Sequence, residues 1–165
     1  MNNFNLDNVI TKLDKDPIGW DVFDGLNSKL FQLSPFYKIG FFRLAWIQLF
    51  KRLPLNFRSI ALVPKSYNSK GLALFIQGYL NLYSIKQDKR YLKNAYNLAE
   101  IIISQRSKKR DYFCVGYNFH WEARAFSVKP FTPNMIVSSF VGQAFLDLYE
   151  IGKDNKWLNY SIEIG

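Results

Sequence analysis

Cysteine and histidine are almost absent from this chain of 165 residues, which has one of each, Cys114 and His120. A single cysteine excludes an internal disulfide framework, so the reducing cytoplasm is the expected location. One cysteine and one histidine also cannot form a Cys/His zinc site, and we expect no metal and no cofactor. We expect Cys114 to be a small buried apolar residue, the more common role of an unpaired cysteine.

Long apolar runs are also missing. None reaches the roughly 18 residues of a membrane-spanning helix, because basic residues interrupt the richest stretch at Lys38, Arg43 and the Lys51–Arg52 pair. The first residues lack the basic region and apolar core of a signal peptide. Hydrophobic residues nevertheless make up 48% of the chain and aromatic residues 18%, far from the composition of a disordered segment. A folded domain with a sizeable core is therefore expected.

Acidic residues are absent between Gly25 and Gln87, a segment that holds nine basic residues and hence all of the net charge of +9. Its aromatic-rich part, residues 36–52, is typical of a helix on an anionic membrane surface or of a site for an acidic glycan or phosphate. The alternative is an outer helix with its aromatic side chains in the core and its basic side chains in water. We expect no nucleic acid partner, because no recognition motif accompanies the basic residues.

Common catalytic motifs are missing as well: there is no glycine-rich phosphate loop, no G-x-S-x-G and no H-E-x-x-H. What the chain does contain is an internal repeat with an offset of 66 residues. Residues 80–85 (LNLYSI) match 146–151 (LDLYEI), and residues 88–92 (DKRYL) match 154–158 (DNKWL), with six of these eleven positions identical. Such a period is typical of stacked helix hairpins, each of which buries its apolar face against its neighbours.

Periodicity and capping residues predict an all-α domain with four parts. Residues 1–33 should hold a short polar helix and an irregular approach; residues 34–105 should hold a helix over 34–53, a helical piece over 56–63 and the first hairpin, 70–85 with 88–105. Residues 106–134 form a long aromatic loop, and residues 135–165 form a second hairpin. Because Gly165 aligns with Ala99, we expect this hairpin to end inside its outgoing helix. Apolar side chains should then be partly uncovered at Phe140, Phe145, Leu148, Tyr149 and Trp157.

The long loop is the richest in candidate site residues. Aromatic faces stack on sugar rings, amides hydrogen-bond to hydroxyls, and an arginine can grip a carboxylate, so we expect substrate-binding roles in this region. The predicted substrate-binding residues are Tyr117, Asn118, Trp121, Arg124 and Asn134. His120 is a candidate acid or base, or else a packed residue, and Glu122 is a candidate catalytic carboxylate or the ion-pair partner of Arg124.

A further carboxylate candidate is Asp24, in the segment from Trp20 to Ser28. Paired carboxylates serve glycoside hydrolysis, one as acid and one as nucleophile or base. The alternative for Asp24 is a turn in which Asp24 and Asn27 bond to the backbone.

These motifs, namely Asp24-Gly25-Leu26-Asn27-Ser28, the loop from Gly116 to Phe126, Thr132-Pro133-Asn134 and the Leu-x-x-Tyr hairpins, resemble the α/α-toroid superfamily of six-hairpin glycosidase-like proteins. The similarity is strongest to a branch encoded among polysaccharide-biosynthesis genes of bacteria and archaea. It covers residues 20–165 and implies the opening part of an (α/α) toroid.

The resemblance implies a cytoplasmic protein that binds or processes a saccharide intermediate of surface-polysaccharide synthesis. Alternatives are a polysaccharide lyase using Asn118, His120 and Arg124, an apolar-cavity prenyl or terpene enzyme, or a non-catalytic scaffold that contacts the membrane or docks a glycosyltransferase.

Overall fold

The computed structural model describes residues 10, 11, 14 and 16–165. The short polar helix expected at the start of the chain lies mainly outside these residues. The helices are α1 (Lys29–Leu33), α2 (Gly40–Arg52), α3 (Ser69–Lys86), α4 (Lys89–Ser104), α5 (Met135–Gly152) and α6 (Asn155–Ile164), with 3₁₀ turns at Asp24–Asn27 and Pro35–Lys38. Two short strands, β1 (Trp121–Glu122) and β2 (Ser127–Val128), pair antiparallel.

The two predicted hairpins are confirmed, and their boundaries repeat with the same offset of 66 residues. Helix α3 corresponds to α5, and α4 begins where α6 does. Asn68 and Asn134 cap the first helix of each pair, and Asp88 and Asp154 cap the second, each through a side-chain oxygen that accepts a backbone N–H. In each pair the residue that ends the first helix, Gln87 or Lys153, is left-handed. The structure is therefore mostly helical and built on packed helix pairs.

One large core cluster joins both hairpins. Helix α3 packs on α4 and α5, and α5 packs on α6. Among the largest fully buried side chains of this cluster are Ile76, Phe145, Leu148 and Trp157. The expected exposure of Phe145, Leu148 and Trp157 is thus wrong, because these side chains pack between α5, α4 and the long loop, whereas Phe140 and Tyr149 are half-buried.

The segment before the hairpins differs from its prediction. The helix expected over 34–53 is a 3₁₀ turn followed by α2, with Ile39 in extended backbone between them. Ser34 does not cap it through its side chain; its hydroxyl donates to the Phe31 carbonyl at 2.8 Å. Residues 29–33 are helical rather than irregular, and residues 56–63 form turns instead of a helical piece.

The long loop contains no helix, as expected, and much of it is buried. Phe113, Val115 and Phe119 are in the interior, and so is Cys114, whose thiol pKa is raised by burial. A Cβ atom at Gly116 would overlap the carbonyl oxygen of Thr132, so the two ends of the loop approach closely only because residue 116 is glycine.

Candidate functional site

Two neighbouring cavities lie where the segment before α1, the start of α3 and the long loop meet. Each has a volume of about 380 Å³, and they share Asp21, Asn68 and Gly71. This volume is in the range of small-molecule pockets. The first, the Asp16 cavity, is also lined by Trp20, Asp24, Ser66, Phe75 and Asn118. The second, the Trp121 cavity, is also lined by Phe23, Lys70, Leu74, Tyr117, Phe119 and Trp121.

Stacked aromatic rings of the long loop form one wall of the Trp121 cavity. Tyr117 stacks on Phe119 with ring centroids 5.0 Å apart, and Trp121 meets Tyr117 edge to face at 6.2 Å. Phe126 meets Trp121 edge to face at 5.3 Å. These contacts, with strand β1, hold Trp121 half-buried at the cavity.

Asp21 is the carboxylate between the two cavities. Its Oδ1 accepts from the Phe23 backbone N–H at 2.9 Å, and its Oδ2 accepts from the Asn68 side-chain amide at 2.8 Å. Burial, and secondly the charge of Asp21, raises the pKa of Tyr117, so the phenol is protonated at neutral pH. Asp21 and Tyr117 thus give the cavities a carboxylate acceptor and a hydroxyl donor.

Asn118 borders the Asp16 cavity. Its side-chain amide donates to the Ser66 hydroxyl, and its backbone carbonyl accepts from Asn27 at 3.3 Å. Its Oδ1 is enclosed and has no hydrogen-bond partner in the part of the chain that the structure describes. An enclosed acceptor without a partner costs about 1–3 kcal/mol, so a hydroxyl that reached it from the cavity would recover that energy.

Asp24 is held mainly by structural contacts. It is 3% exposed, its Oδ1 accepts from Arg58 Nε at 2.8 Å, and its Oδ2 accepts from the Asp21 backbone N–H. Burial raises the pKa of Asp24, and the hydrogen bond and charge of Arg58 oppose this. Asp24 contacts its own turn, as in the turn alternative, but Asn27 reaches the long loop instead.

Glu122 and His120 belong to a separate polar cluster. Arg43 grips Glu122 with two hydrogen bonds, at 2.9 and 3.1 Å. His120 lies between the Tyr37 hydroxyl, 3.0 Å from Nδ1, and the Ser127 hydroxyl, 2.8 Å from Nε2. The expected Glu122–Arg124 ion pair is therefore wrong, because Arg43 of α2 is the partner of Glu122.

The pKa values of this cluster follow from burial and from Arg43. Burial lowers the pKa of His120 below its ordinary value of 6.5, so the ring is neutral at pH 7, although the charge of Glu122 opposes this. Burial raises the pKa of Glu122, but the hydrogen bonds from Arg43 and Ser127 and the charge of Arg43 outweigh it, and the pKa is lowered. Both oxygens of Glu122 are engaged by Arg43, and a general acid would need a raised pKa.

The predicted site residues are thus distributed over several places. Tyr117 and Trp121 line one cavity, while Asn118 and Asp24 line the other. Glu122 and His120 contact each other, but neither lines a cavity with them. Arg124 is exposed in the turn between β1 and β2, and Asn134 caps α5 by accepting from the Val137 backbone N–H at 3.2 Å.

Sequence reasoning missed Asp21, Trp20, Asn68 and Lys70 as cavity residues. A signal existed for the first two, since both lie in the segment in which Asp24 was selected. Asn68 and Lys70 gave no signal beyond helix capping, because their position at the cavity depends on how α3 packs against the segment before α1.

No group of three His, Cys, Asp or Glu side chains that could hold a metal ion occurs within residues 10, 11, 14 and 16–165. Comparison of the chain with protein families, with curated proteins and with solved structures finds no match.

Proposed function

We propose that the paired cavities bind a saccharide. The observation that carries the proposal is the combination of aromatic rings, Trp20 on one side and Tyr117 and Trp121 on the other, with the polar groups of Asp21, Asn68 and Asn118 between them. Sugars present apolar C–H faces to aromatic rings and hydroxyls to carboxylates and amides. The arrangement is built on the start of an 18-residue helix and on a buried loop, which keeps it in place.

The proposed setting is the opening part of an α/α toroid that acts in the cytoplasm on an intermediate of surface-polysaccharide synthesis. The two hairpins and the 66-residue offset support a repeating array, and the resemblance of the loop motifs supports the saccharide class. Asp21, whose carboxylate lies between the cavities, replaces Asp24 as the acidic residue expected to contact the ligand.

A glycan array followed by titration of the strongest oligosaccharide tests the proposal. We expect Trp121→Ala to weaken binding by about 1–3 kcal/mol through loss of a stacking face, and Asp21→Asn to weaken it through loss of a charged acceptor. Helical circular dichroism should be nearly unchanged. Tyr112→Ala is the matched control, since Tyr112 is an exposed aromatic of the same loop that lines neither cavity.

The alternative is that Trp121 is a structural plug. In that case Trp121→Ala should cost about 3–5 kcal/mol of stability, as for a buried aromatic residue, and leave the affinity of the folded fraction unchanged. That result, or an array on which no saccharide binds, would contradict the proposal.

A further inference from the structure

A second surface of the protein is apolar where water is expected. On α1, the second 3₁₀ turn and α2, seven large side chains are at least 37% exposed, among them Leu33 at 86% and Phe41 at 72%. We call this surface the α1–α2 face; it consists of Leu30, Leu33, Phe36, Ile39, Phe41, Phe42 and Leu49. Exposed contiguous apolar surface of this kind marks an interaction site.

Helix α2 has apolar residues on two opposite sides. Ile47 and Phe50 point into the protein, whereas Phe41, Phe42, Ala45 and Leu49 are exposed. At the helical period, the exposed four fall within a stripe about 100° wide. A helix that only closes the core would carry polar residues on its outer side, so the outer stripe of α2 needs a different apolar environment.

The α1–α2 face also contains a groove. It has a volume of about 490 Å³ and is lined by Leu30, Phe31, Ser34, Phe36, Phe42, Ala45, Trp46 and Leu49. Phe36, Phe41 and Phe42 cluster beside it, with ring centroids 4.8 and 5.5 Å apart along the series. Clustered aromatic rings at an exposed edge suit the boundary between lipid headgroups and acyl chains.

Charge decides which partner fits. No acidic residue occurs between Gly25 and Gln87, and Lys29, Lys38, Lys51 and Arg52 are exposed on the elements of the face. Arg43 and Arg58 of the same segment are engaged with Glu122 and Asp24. The cations that remain are therefore those beside the apolar face, where they complement an anionic surface.

We propose that the α1–α2 face binds the surface of an anionic phospholipid bilayer, with its apolar side chains in the interface and the four basic residues on the headgroups. The binding is peripheral, because α2 has 13 residues and is roughly 20 Å long, shorter than the hydrocarbon core of about 30 Å. Consistent with this, no helix of the described residues is long and apolar enough to cross a membrane. The proposal does not depend on saccharide binding.

A second copy of the chain is the competing occupant. A symmetric dimer through this face would bring the same basic residues of both copies together with no acidic residue of the segment to offset them. The face therefore favours an anionic lipid surface over its own copy.

Vesicle flotation tests the proposal with two lipid compositions, phosphatidylcholine alone and phosphatidylcholine mixed with phosphatidylglycerol. The protein should float with the anionic vesicles, less so as the salt concentration rises, and much less with phosphatidylcholine alone. Lys38→Gln with Arg52→Gln should lower the partition coefficient at least about tenfold, since each basic residue contributes about fivefold. Leu33→Ser with Phe41→Ser should lower it by about tenfold or more.

Matched controls change equally exposed residues elsewhere. Ile85→Ser with Ile162→Ser removes apolar side chains that are 79% and 66% exposed, and Lys93→Gln with Lys108→Gln removes two exposed charges. These controls should bind as the unchanged protein does. The proposal is overturned by absence of flotation, by equal flotation with both compositions, by equal losses in the controls, or by a dimer in light scattering that Phe41→Ser converts to a monomer.

Discussion

At the residue scale, the most constrained charge is Asp24. Its carboxylate is buried, and Arg58 holds it at 2.8 Å while also donating to the carbonyls of Asp21 and Val22. Because burial raises the pKa of Asp24 in spite of Arg58, the ionised carboxylate depends on this one cation. The pair joins the turn at residues 21–24 to the turn at residues 58–62, and it therefore supports one wall of the Asp16 cavity.

Arg58→Ala should lower the free energy of unfolding by about 3–5 kcal/mol at neutral pH, since it leaves a buried charge without a partner. In this variant the folded-state pKa of Asp24 rises further above its ordinary value of 3.8. The folded state then binds the proton more tightly than the unfolded state, so the loss is smallest at acidic pH and grows as pH rises through the folded pKa. Urea unfolding at several pH values measures this.

Asp24→Leu combined with Arg58→Met is the control for the Arg58→Ala variant. Replacing a buried ion pair by apolar residues of similar volume is often neutral, so the double variant should recover most of the stability. A loss independent of pH in Arg58→Ala would show that packing of the arginine stem, and not the charge of Asp24, sets its contribution.

At the element scale, each helix of the two hairpins begins at an Asn or Asp whose side chain accepts a backbone N–H. These caps satisfy donors that the helix leaves without partners. They also explain Asn134, which has a structural contact at α5 and lines neither cavity. Its role in substrate binding stays a prediction.

Asn134→Ala should lower the free energy of unfolding by about 1 kcal/mol, the usual effect of removing an N-cap. Asn134→Asp keeps the acceptor and should retain the stability. Saccharide affinity, measured by titration on the same variants, should be unchanged if capping is the role of Asn134. Weaker binding with unchanged stability would instead support the substrate-binding role.

At the scale of the whole molecule, the interior is divided unequally. The hairpins share one large cluster, whereas the part before them has two small ones, Leu26, Phe31 and Ile47 in one and Phe50, Ala61 and Val63 in the other, as far as the described residues go. Regions with few buried apolar contacts open at lower free energy. The proposed lipid-binding face therefore lies on the less stable part of the molecule.

Native-state hydrogen exchange should show this difference. Amides of α3 and α5 should exchange most slowly, near the free energy of global unfolding, and those of α1 should exchange faster. Anionic vesicles should slow exchange in α1 and α2 and leave α4 unchanged. Uniform protection across α1 and α3 would contradict the unequal division of the core.

The sequence by itself determined the hairpins, their offset of 66 residues, the caps at Asp88 and Asp154 and the absence of helix in the long loop. These features depend on residues a few positions apart, so helical periodicity and capping chemistry are enough to predict them. Tyr117, Asn118 and Trp121 were also identified as binding candidates from their chemistry, and they do line the cavities.

Only the tertiary structure decided which carboxylate is available and which surface is apolar. Glu122 pairs with Arg43, 79 positions away, and Asp24 pairs with Arg58, 34 positions away, and neither partner can be read from local spacing. The outer stripe of α2 is equally ambiguous, because apolar side chains on both sides of a helix do not show which side meets the core. Packing resolves this by burying Ile47 and Phe50 and leaving Phe41 and Leu49 exposed.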